Sequence, residues 1–262
     1  MGLDGTSLRF LLAARPRLDR TLTIGRQALI TPRDELAALL RMHGVQAPPT
    51  PDGFAEPVLH AMGAQRVDSL DISPFEGATV IHDLNQPLGE PPRRFTAVID
   101  GGSLEHVFNF PVAIRTCMEL VEPGGSLVVM VPANNEIGHG FYQFSPELFY
   151  RVAQHGFDVR QMLLVERGRR PRWYEIADAK GMGRRRVHVR TRRSTYLMLH
   201  ARRIAEAPIP ELTLQESDYE RMWEGGAPLP RSLAVKVGDR IARRVTPLQG
   251  RIGTREIRRV KL

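Results

Sequence analysis

The sequence predicts an α/β protein: a doubly wound, Rossmann-like, seven-stranded sheet, mostly parallel, with an antiparallel last strand. Three observations predict it. Short apolar runs begin near residues 20, 67, 78, 95, 126, 157 and 195, and segments of helical periodicity separate most of them. The runs at 95–100 (FTAVID) and 126–131 (SLVVMV) show no polar alternation, as strands covered on both faces should. Acids, glycines and asparagines follow these strands at their ends, where open α/β sheets keep their sites.

Each element has a local reason. The opening MGLDGTSLRFLLAARPRLDR holds a short apolar patch with charges on both sides, which reads as a leading helix and not a secretory signal. RTLTIG (20–25) is the first strand. Thr31 reads as a helix cap, with Pro32 at the first helical position, Asp34 in the first turn and Leu36, Leu39 and Leu40 on one face. Prolines 48, 49, 51 and 57 mark a loop before a short helix at 54–62. Strands follow at 65–72, 78–84 and 95–100. Phe110, Ile114, Cys117, Met118 and Val121 recur at helical spacing, so 110–121 is a helix. Glu122-Pro123-Gly124-Gly125 reads as a stop and turn before strand 126–131. Ser145-Pro146-Glu147 starts a helix to about 154, and Phe157–Val165 is a strand. Residues 166–193 read as an insertion or hairpin arm with Trp173 and Tyr174 at its tip, and Thr195–Ala201 as the returning last strand. The domain covers 1–206. Residues 207–262 form a basic, peripheral extension with a helix near 231–244.

Composition narrows the function. The 262 residues carry a formal charge of +8 and one cysteine, Cys117, which excludes an intrachain disulfide and a cysteine-based zinc site. A reducing, cytoplasmic location is the expectation. No stretch approaches the roughly 20 apolar residues of a membrane-spanning helix. Between Arg231 and Leu262 there are ten Lys/Arg against two acids. Arg167, Arg169, Arg170 and Arg172 form a second cluster, and Arg184–Arg186 with Arg190, Arg192 and Arg193 a third. Such patches suit nucleic acid, anionic lipid or a phosphorylated substrate, or simply a solvated surface. The tail lacks interleaved aromatics for base stacking, so nucleic acid is the lesser expectation. No His/Asp/Glu cluster has metal-ligand spacing along the chain, and there is no G-x-S-x-G or phosphate-binding P-loop. No metal is expected.

The first strand ends in Gly25-Arg26-Gln27, without the G-x-G-x-x-G of dinucleotide binding, which argues against an NAD enzyme. Asp71 ends the next strand, followed by Ile72. A carboxylate there can hold ribose hydroxyls or make a turn, and Asp68 is the competing acid. Asp83 and Leu84 precede Pro87, as an Asx-turn or as an acceptor with an apolar cover. Asp100-Gly101-Gly102 leads into Ser103-Leu104-Glu105-His106, with glycines that let backbone approach a ligand. His106 is a candidate general base or a loop-pinning residue. After strand 126–131 come Asn134, Asn135, His139, Tyr142 and Gln143, where His139 is a second candidate base.

Three segments carry a resemblance: D-L-N-x-P-L at 83–88, G-G-x-L-E-H-V-F-N at 101–109 and G-H-G-F-Y-Q-F-S-P-E-L at 138–148. They resemble bacterial class I S-adenosylmethionine (SAM)-dependent methyltransferases with a degenerate glycine-rich motif. The likeness spans roughly 20–200, is most specific over 65–150 and departs from the pattern at 20–30. It implies SAM as cofactor. Gly25, Arg26 and Gln27 would then meet the methionine end, Asp71 and Ile72 the ribose, Asp83 and Leu84 the adenine, and Asp100, Gly101 and Gly102 the methyl-donor edge. His106 and His139 would be catalytic, and Asn135, Tyr142 and Gln143 would line the acceptor pocket. The implied activity is methylation of an oxygen or nitrogen of a small metabolite, phosphorylated or sugar-containing among the options. The alternatives are a catalytically inactive binding or scaffold protein of this fold, and an RNA-directed methyltransferase or RNA-binding protein.

Overall fold

Parallel strands with helical crossovers must hide both faces, and this chain does so with helices on either side of one mixed sheet. The computed structural model describes residues 2–50, 52–89, 93–168, 170–180, 189, 191–206, 209–225 and 257–262. In chain order the elements are β1 (Gly2–Leu3), α1 (Gly5–Ala14), β2 (Arg20–Ile24), β3 (Ala28–Leu29), α2 (Arg33–Met42), α3 (Glu56–Ala61), β4 (Arg66–Asp71), β5 (Val80–Ile81) and β6 (Phe95–Asp100). There follow α4 (Phe110–Leu120), β7 (Val121–Pro132), α5 (Pro146–Ala153), β8 (Phe157–Glu166), β9 (Arg172–Ile176), β10 (Thr195–Arg203), α6 (Ser217–Trp223) and β11 (Ile257–Val260).

The main sheet has the order β11-β9-β8-β10-β7-β6-β2-β4-β5. All seven expected strands lie side by side in it, from β8 to β5. The sheet nevertheless has nine strands among the described residues, not seven, because β9 and β11 extend one edge. Within those seven, six strands run the same way and only the last, β10, is reversed, as expected. The β2–β4, β2–β6, β4–β5 and β6–β7 ladders are parallel, whereas β10 runs antiparallel to both β7 and β8, and β8–β9 and β9–β11 are antiparallel too. β1 and β3 form a separate parallel pair.

The period-2 geometry of strands divides the core. On β7, Leu127, Val129 and Val131 face the layer of α4 and α5, with Phe110, Ile114 and Phe149. Val128 and Met130 face the opposite layer, with Leu8, Leu11, Leu39 and Leu59 from α1, α2 and α3. Two caps anchor these helices: Asp4 accepts from the Ser7 amide at 2.8 Å, and Ser145 accepts from the Leu148 amide at 3.4 Å. Arg203, 1% exposed, donates to the carbonyls of Met118, Glu119 and Val121 and so satisfies the end of α4.

Four local expectations are corrected. Thr31 does not cap α2. Pro32 holds the cap position, and the Thr31 hydroxyl reaches the Leu3 carbonyl at 3.4 Å. Residues Glu122–Gly125 are not a turn before the strand but a bulge within it: Val121 pairs with Phe95 and Ser126 with Ala97, so the four residues between them face only Thr96. Trp173 and Tyr174 are not at an arm's tip. Both are 4% exposed on β9, packed into opposite core layers, because R-W-Y-E-I has an apolar residue for each face. The basic extension is not wholly peripheral, since Ile209 and Ile257 are buried in the core. The helix expected near 231–244, and Arg169, Arg184–Arg186 and Arg190, lie outside the described residues.

Candidate functional site at the carboxyl edge of the sheet

Strand register builds the site. Ile24 of β2 pairs with Leu70 of β4 on one side and with Asp100 of β6 on the other, and Asp71 pairs with Ile81. The next residues therefore line up across neighbouring strand ends as Ile81, Asp71, Gly25 and Gly101. Chain connections leave β2 toward β4 on one side while β6 sits on the other, so this row lies at the reversal of strand order where α/β sheets bind ligands. Gly25 has φ +70° and donates its amide to the Leu70 carbonyl at 2.7 Å. That left-handed turn needs glycine.

The two residues after Gly25 are committed inward. Arg26 Nε donates to Glu56 Oε1 at 2.6 Å, Nη2 to Asp52 Oδ2 at 2.9 Å and Nη1 to the Glu76 carbonyl at 2.9 Å. Its guanidinium lies 3.8 Å from the centroid of Phe54. These carboxylates raise its pKa further, with the Glu56 hydrogen bond the largest cause. Arg26 is thus a brace tying the first loop to α3 and to the loop after β4. Gln27 is 1% exposed and donates to the Ile24 carbonyl at 2.6 Å, while its Oε1 finds no donor. A methyl group on Gly101 would run into Gln27 Oε1 and approach Leu3 Cδ2 to 2.9 Å.

At the β4 and β5 ends, Asp71 is half-buried and accepts through Oδ1 from the Ser73 amide at 3.3 Å. Its neighbour Ile72 is 64% exposed, and Phe75 and Ile81 are exposed beside it. Asp83 closes an Asx-turn. Its Oδ1 accepts from the Asn85 amide at 2.9 Å and side chain at 2.8 Å, which hold its pKa below the ordinary value. Leu84 is buried, at 7%. Asn85 in turn accepts from the Asn109 amide at 2.9 Å and pins this loop to the start of α4. Asp68, the competing acid, is buried and paired with Arg66 and Arg93, away from the row of strand ends.

Beyond β6 the chain makes a single 3₁₀ turn, Leu104–His106, before α4 begins at Phe110, where the apolar spacing placed it. This turn drives the Glu105 side chain inward to 0% exposure while leaving the His106 ring exposed. Neither Glu105 oxygen has a hydrogen-bond donor, and burial pushes its pKa up to about 7. Asp100 is also fully buried. It accepts from the Ser103 amide at 2.8 Å, its Oδ2 has no donor, and burial followed by the Glu105 charge raises it well above the carboxylate range.

The loop after β7 closes over Glu105. The Phe141 amide donates to the Glu105 carbonyl at 2.7 Å, and Gly140 has φ +70° with its Cβ position only 2.8 Å from that oxygen. His139 thereby arrives with Nε2 3.3 Å from Glu105 Oε1, and its ring centroid is 5.1 Å from that of His106. Glu105, His106 and His139 thus form a cluster that no spacing along the chain announces, because 33 residues separate His106 from His139. Glu105 is the residue that sequence reasoning left out of the site. Its only signal was its place beside His106.

The three residues expected to line an acceptor pocket hold loops together. Asn135, at φ +63°, donates to the Thr191 and Arg193 carbonyls at 3.0 and 2.9 Å. Gln143 Oε1 accepts from the Glu136 amide at 3.0 Å. Tyr142 donates its hydroxyl to the Phe108 carbonyl at 2.6 Å and sits among Phe110 and Phe144. The exposed apolar side chains on this side are Phe108, Ile137 and Phe141, with Phe108 and Phe141 edge to face.

No family model matches the chain, and no curated protein matches it in sequence. Among solved structures it is similar to the N-methyltransferase NodS of Bradyrhizobium japonicum, at 12% identity over 77% of this chain and 94% of that one, with a TM-score of 0.42. NodS is also known in complex with S-adenosylhomocysteine. The chain is similar as well to an S-adenosylmethionine-dependent methyltransferase of Mesorhizobium loti, at 14% identity over 76% and 98% of the chains with a TM-score of 0.44. A third similarity is to an rRNA methylase of Streptococcus thermophilus, at 10% identity over 78% and 99% with a TM-score of 0.37.

Proposed function

We propose that the chain is a SAM-dependent methyltransferase acting on an oxygen or nitrogen of a small metabolite. One observation carries this reading: strand register sets Asp71, Gly25 and Gly101 side by side at the switch point of the sheet. The nucleoside half of SAM fits the residues present. Asp71 keeps Oδ2 for ribose hydroxyls, since Ser73 engages only Oδ1. Asp83 likewise keeps one oxygen for an exocyclic amine, and exposed Ile72 and Ile81 offer apolar cover. Gly25 and Gly102, at φ +70° and +94°, supply backbone in conformations that close approach requires.

SAM, when bound, supplies a methyl group already activated on a sulfonium. The protein's task is alignment and proton removal. Positioning can be worth about 7–11 kcal/mol in well-oriented systems, and a general base about 10²–10⁴-fold. His106 and His139 face solvent at the acceptor side, and burial followed by the His139 charge lowers the pKa of His106, which keeps it unprotonated near neutrality. The apolar rim of Phe108, Ile137 and Phe141 would cover the acceptor and exclude water. Calorimetry with SAM and S-adenosylhomocysteine tests the reading. Binding that weakens about tenfold or more in Asp71→Ala is expected, as loss of hydrogen bonds to a charged group costs ~1.5–3 kcal/mol. No heat at millimolar SAM would refute it.

The second reading is a binding module of the same fold without catalysis. The packing of Gln27 and Leu3 over Gly101, and the commitment of Arg26 to Glu56 and Asp52, favour it. On the methyltransferase reading these two side chains shape the first loop and do not reach the methionine carboxylate. Cofactor binding with no turnover over a broad acceptor panel would support the second reading. Methyl transfer to any acceptor would eliminate it.

A further inference from the structure

We propose that Glu105, His106 and His139 form a binding site for a borderline divalent transition metal of the Zn²⁺ type. The ligand atoms of these three residues lie within 4.8 Å of one another. Around a tetrahedral ion with bonds near 2.1 Å they would stand roughly 3.4 Å apart. The remaining closure falls on the His106 and His139 side chains, both exposed.

Three features mark a built site. Glu105 is 0% exposed, yet both its oxygens lack a hydrogen-bond donor. A carboxylate so placed needs a cation or a proton. His139 Nε2 stands 3.3 Å from Oε1 without hydrogen-bonding alignment, so the imidazole approaches the carboxylate but does not satisfy it. Finally, backbone and not side-chain chance delivers His139. The Phe141 amide bonds to the Glu105 carbonyl, and Gly140 makes an approach that any larger residue would block. Glycines lie on two sides of Glu105: Gly140 against its backbone carbonyl and Cγ, and Gly102, where a methyl would lie 3.2 Å from Oε1.

Two imidazoles and one carboxylate suit Zn²⁺, Fe²⁺, Co²⁺ or Ni²⁺ better than Mg²⁺ or Ca²⁺, which prefer oxygen shells. Three protein ligands leave coordination positions open. The exposed rings place those positions at the acceptor side of the sheet edge, where an ion can lower the pKa of a bound hydroxyl. The His106 and His139 lone pairs would then serve the ion and not act as free bases. Metal binding stands apart from methyl transfer, because its readout requires neither donor nor acceptor.

The test is Co²⁺ titration of the chelator-treated, full-length protein near pH 7, following visible d–d absorption, with Zn²⁺ as competitor. One equivalent should bind and be displaced by Zn²⁺. His106→Ala and His139→Ala truncate exposed rings, so their folding, checked by circular dichroism, should be intact. Each should weaken Co²⁺ at least by the ~10–100-fold that outer-shell losses alone cause. Glu105→Gln should do the same, and His43→Ala should have no effect. No band at millimolar Co²⁺, or a band that survives the His106→Ala/His139→Ala double variant, overturns the site.

Discussion

His200 gives the protein an acid sensitivity whose size can be worked out. Its imidazole is 9% exposed in β10, with Ser126 Oγ 3.0 Å from Nε2. Burial, aided by the positive charge of Arg160, lowers its pKa from 6.5 to about 4. The folded state therefore binds the proton more weakly than the unfolded chain. The stabilisation is complete above the unfolded value and is lost as pH falls from about 6.5 toward 4. At ~1.4 kcal/mol per factor of ten, the whole window amounts to about 3 kcal/mol. Asp100 and Glu105 act in the opposite sense, since their folded pKa values are raised and their contribution falls as pH rises. Wild-type stability alone would mix these effects. The difference between wild type and His200→Gln isolates the histidine. Urea unfolding of both proteins from pH 7.5 to 4.5 should show the wild-type advantage shrinking by about 2.5 kcal/mol. A difference that stays flat over this range would refute the buried, neutral histidine.

Three further outcomes follow from particular contacts. Arg203→Met removes the guanidinium that donates to the Met118, Glu119 and Val121 carbonyls at the end of α4, of which Met118 keeps the Val121 amide. It should cost about 3 kcal/mol in denaturant unfolding. Gly140→Ala places a methyl 2.8 Å from the Glu105 carbonyl in a left-handed backbone, so it should lose ~1–3 kcal/mol of stability and weaken Co²⁺ binding with it. Arg26→Lys keeps the charge but not the fork that reaches Glu56, Asp52 and Glu76 together. A lower melting temperature, with SAM affinity falling less than in Asp71→Ala, would mark it as a brace. An equal fall would make it a direct cofactor contact.

Legibility in the sequence followed the range of the interactions. Apolar runs exposed the seven strands from β8 to β5, most plainly β6 and β7, because a strand buried on both faces has little choice of residue. β9 was hidden among arginines, although Trp173 and Tyr174 already supplied an apolar residue for each face. β11 was hidden because an edge strand needs only one partner, and its pairing with β9 is specified by nothing nearby in the chain. The bulge at Glu122–Gly125 looked like a turn because its glycines fit both, and only pairing with Phe95 distinguishes them.

The same division runs through the site. The sequence alone determined the α/β class, the strand ends that bear Gly25, Asp71 and Gly101, and His106 as a residue of chemical interest. These depend on periodicity and on residues adjacent in the chain. Tertiary structure alone decided that Arg26 and Gln27 turn inward, that Glu105 is buried without a donor, and that His139 comes to rest beside it. The reason is physical: desolvation and ligand geometry depend on which loops meet across the sheet edge. That meeting is set by strand register and by the hydrogen bond from Phe141 to Glu105.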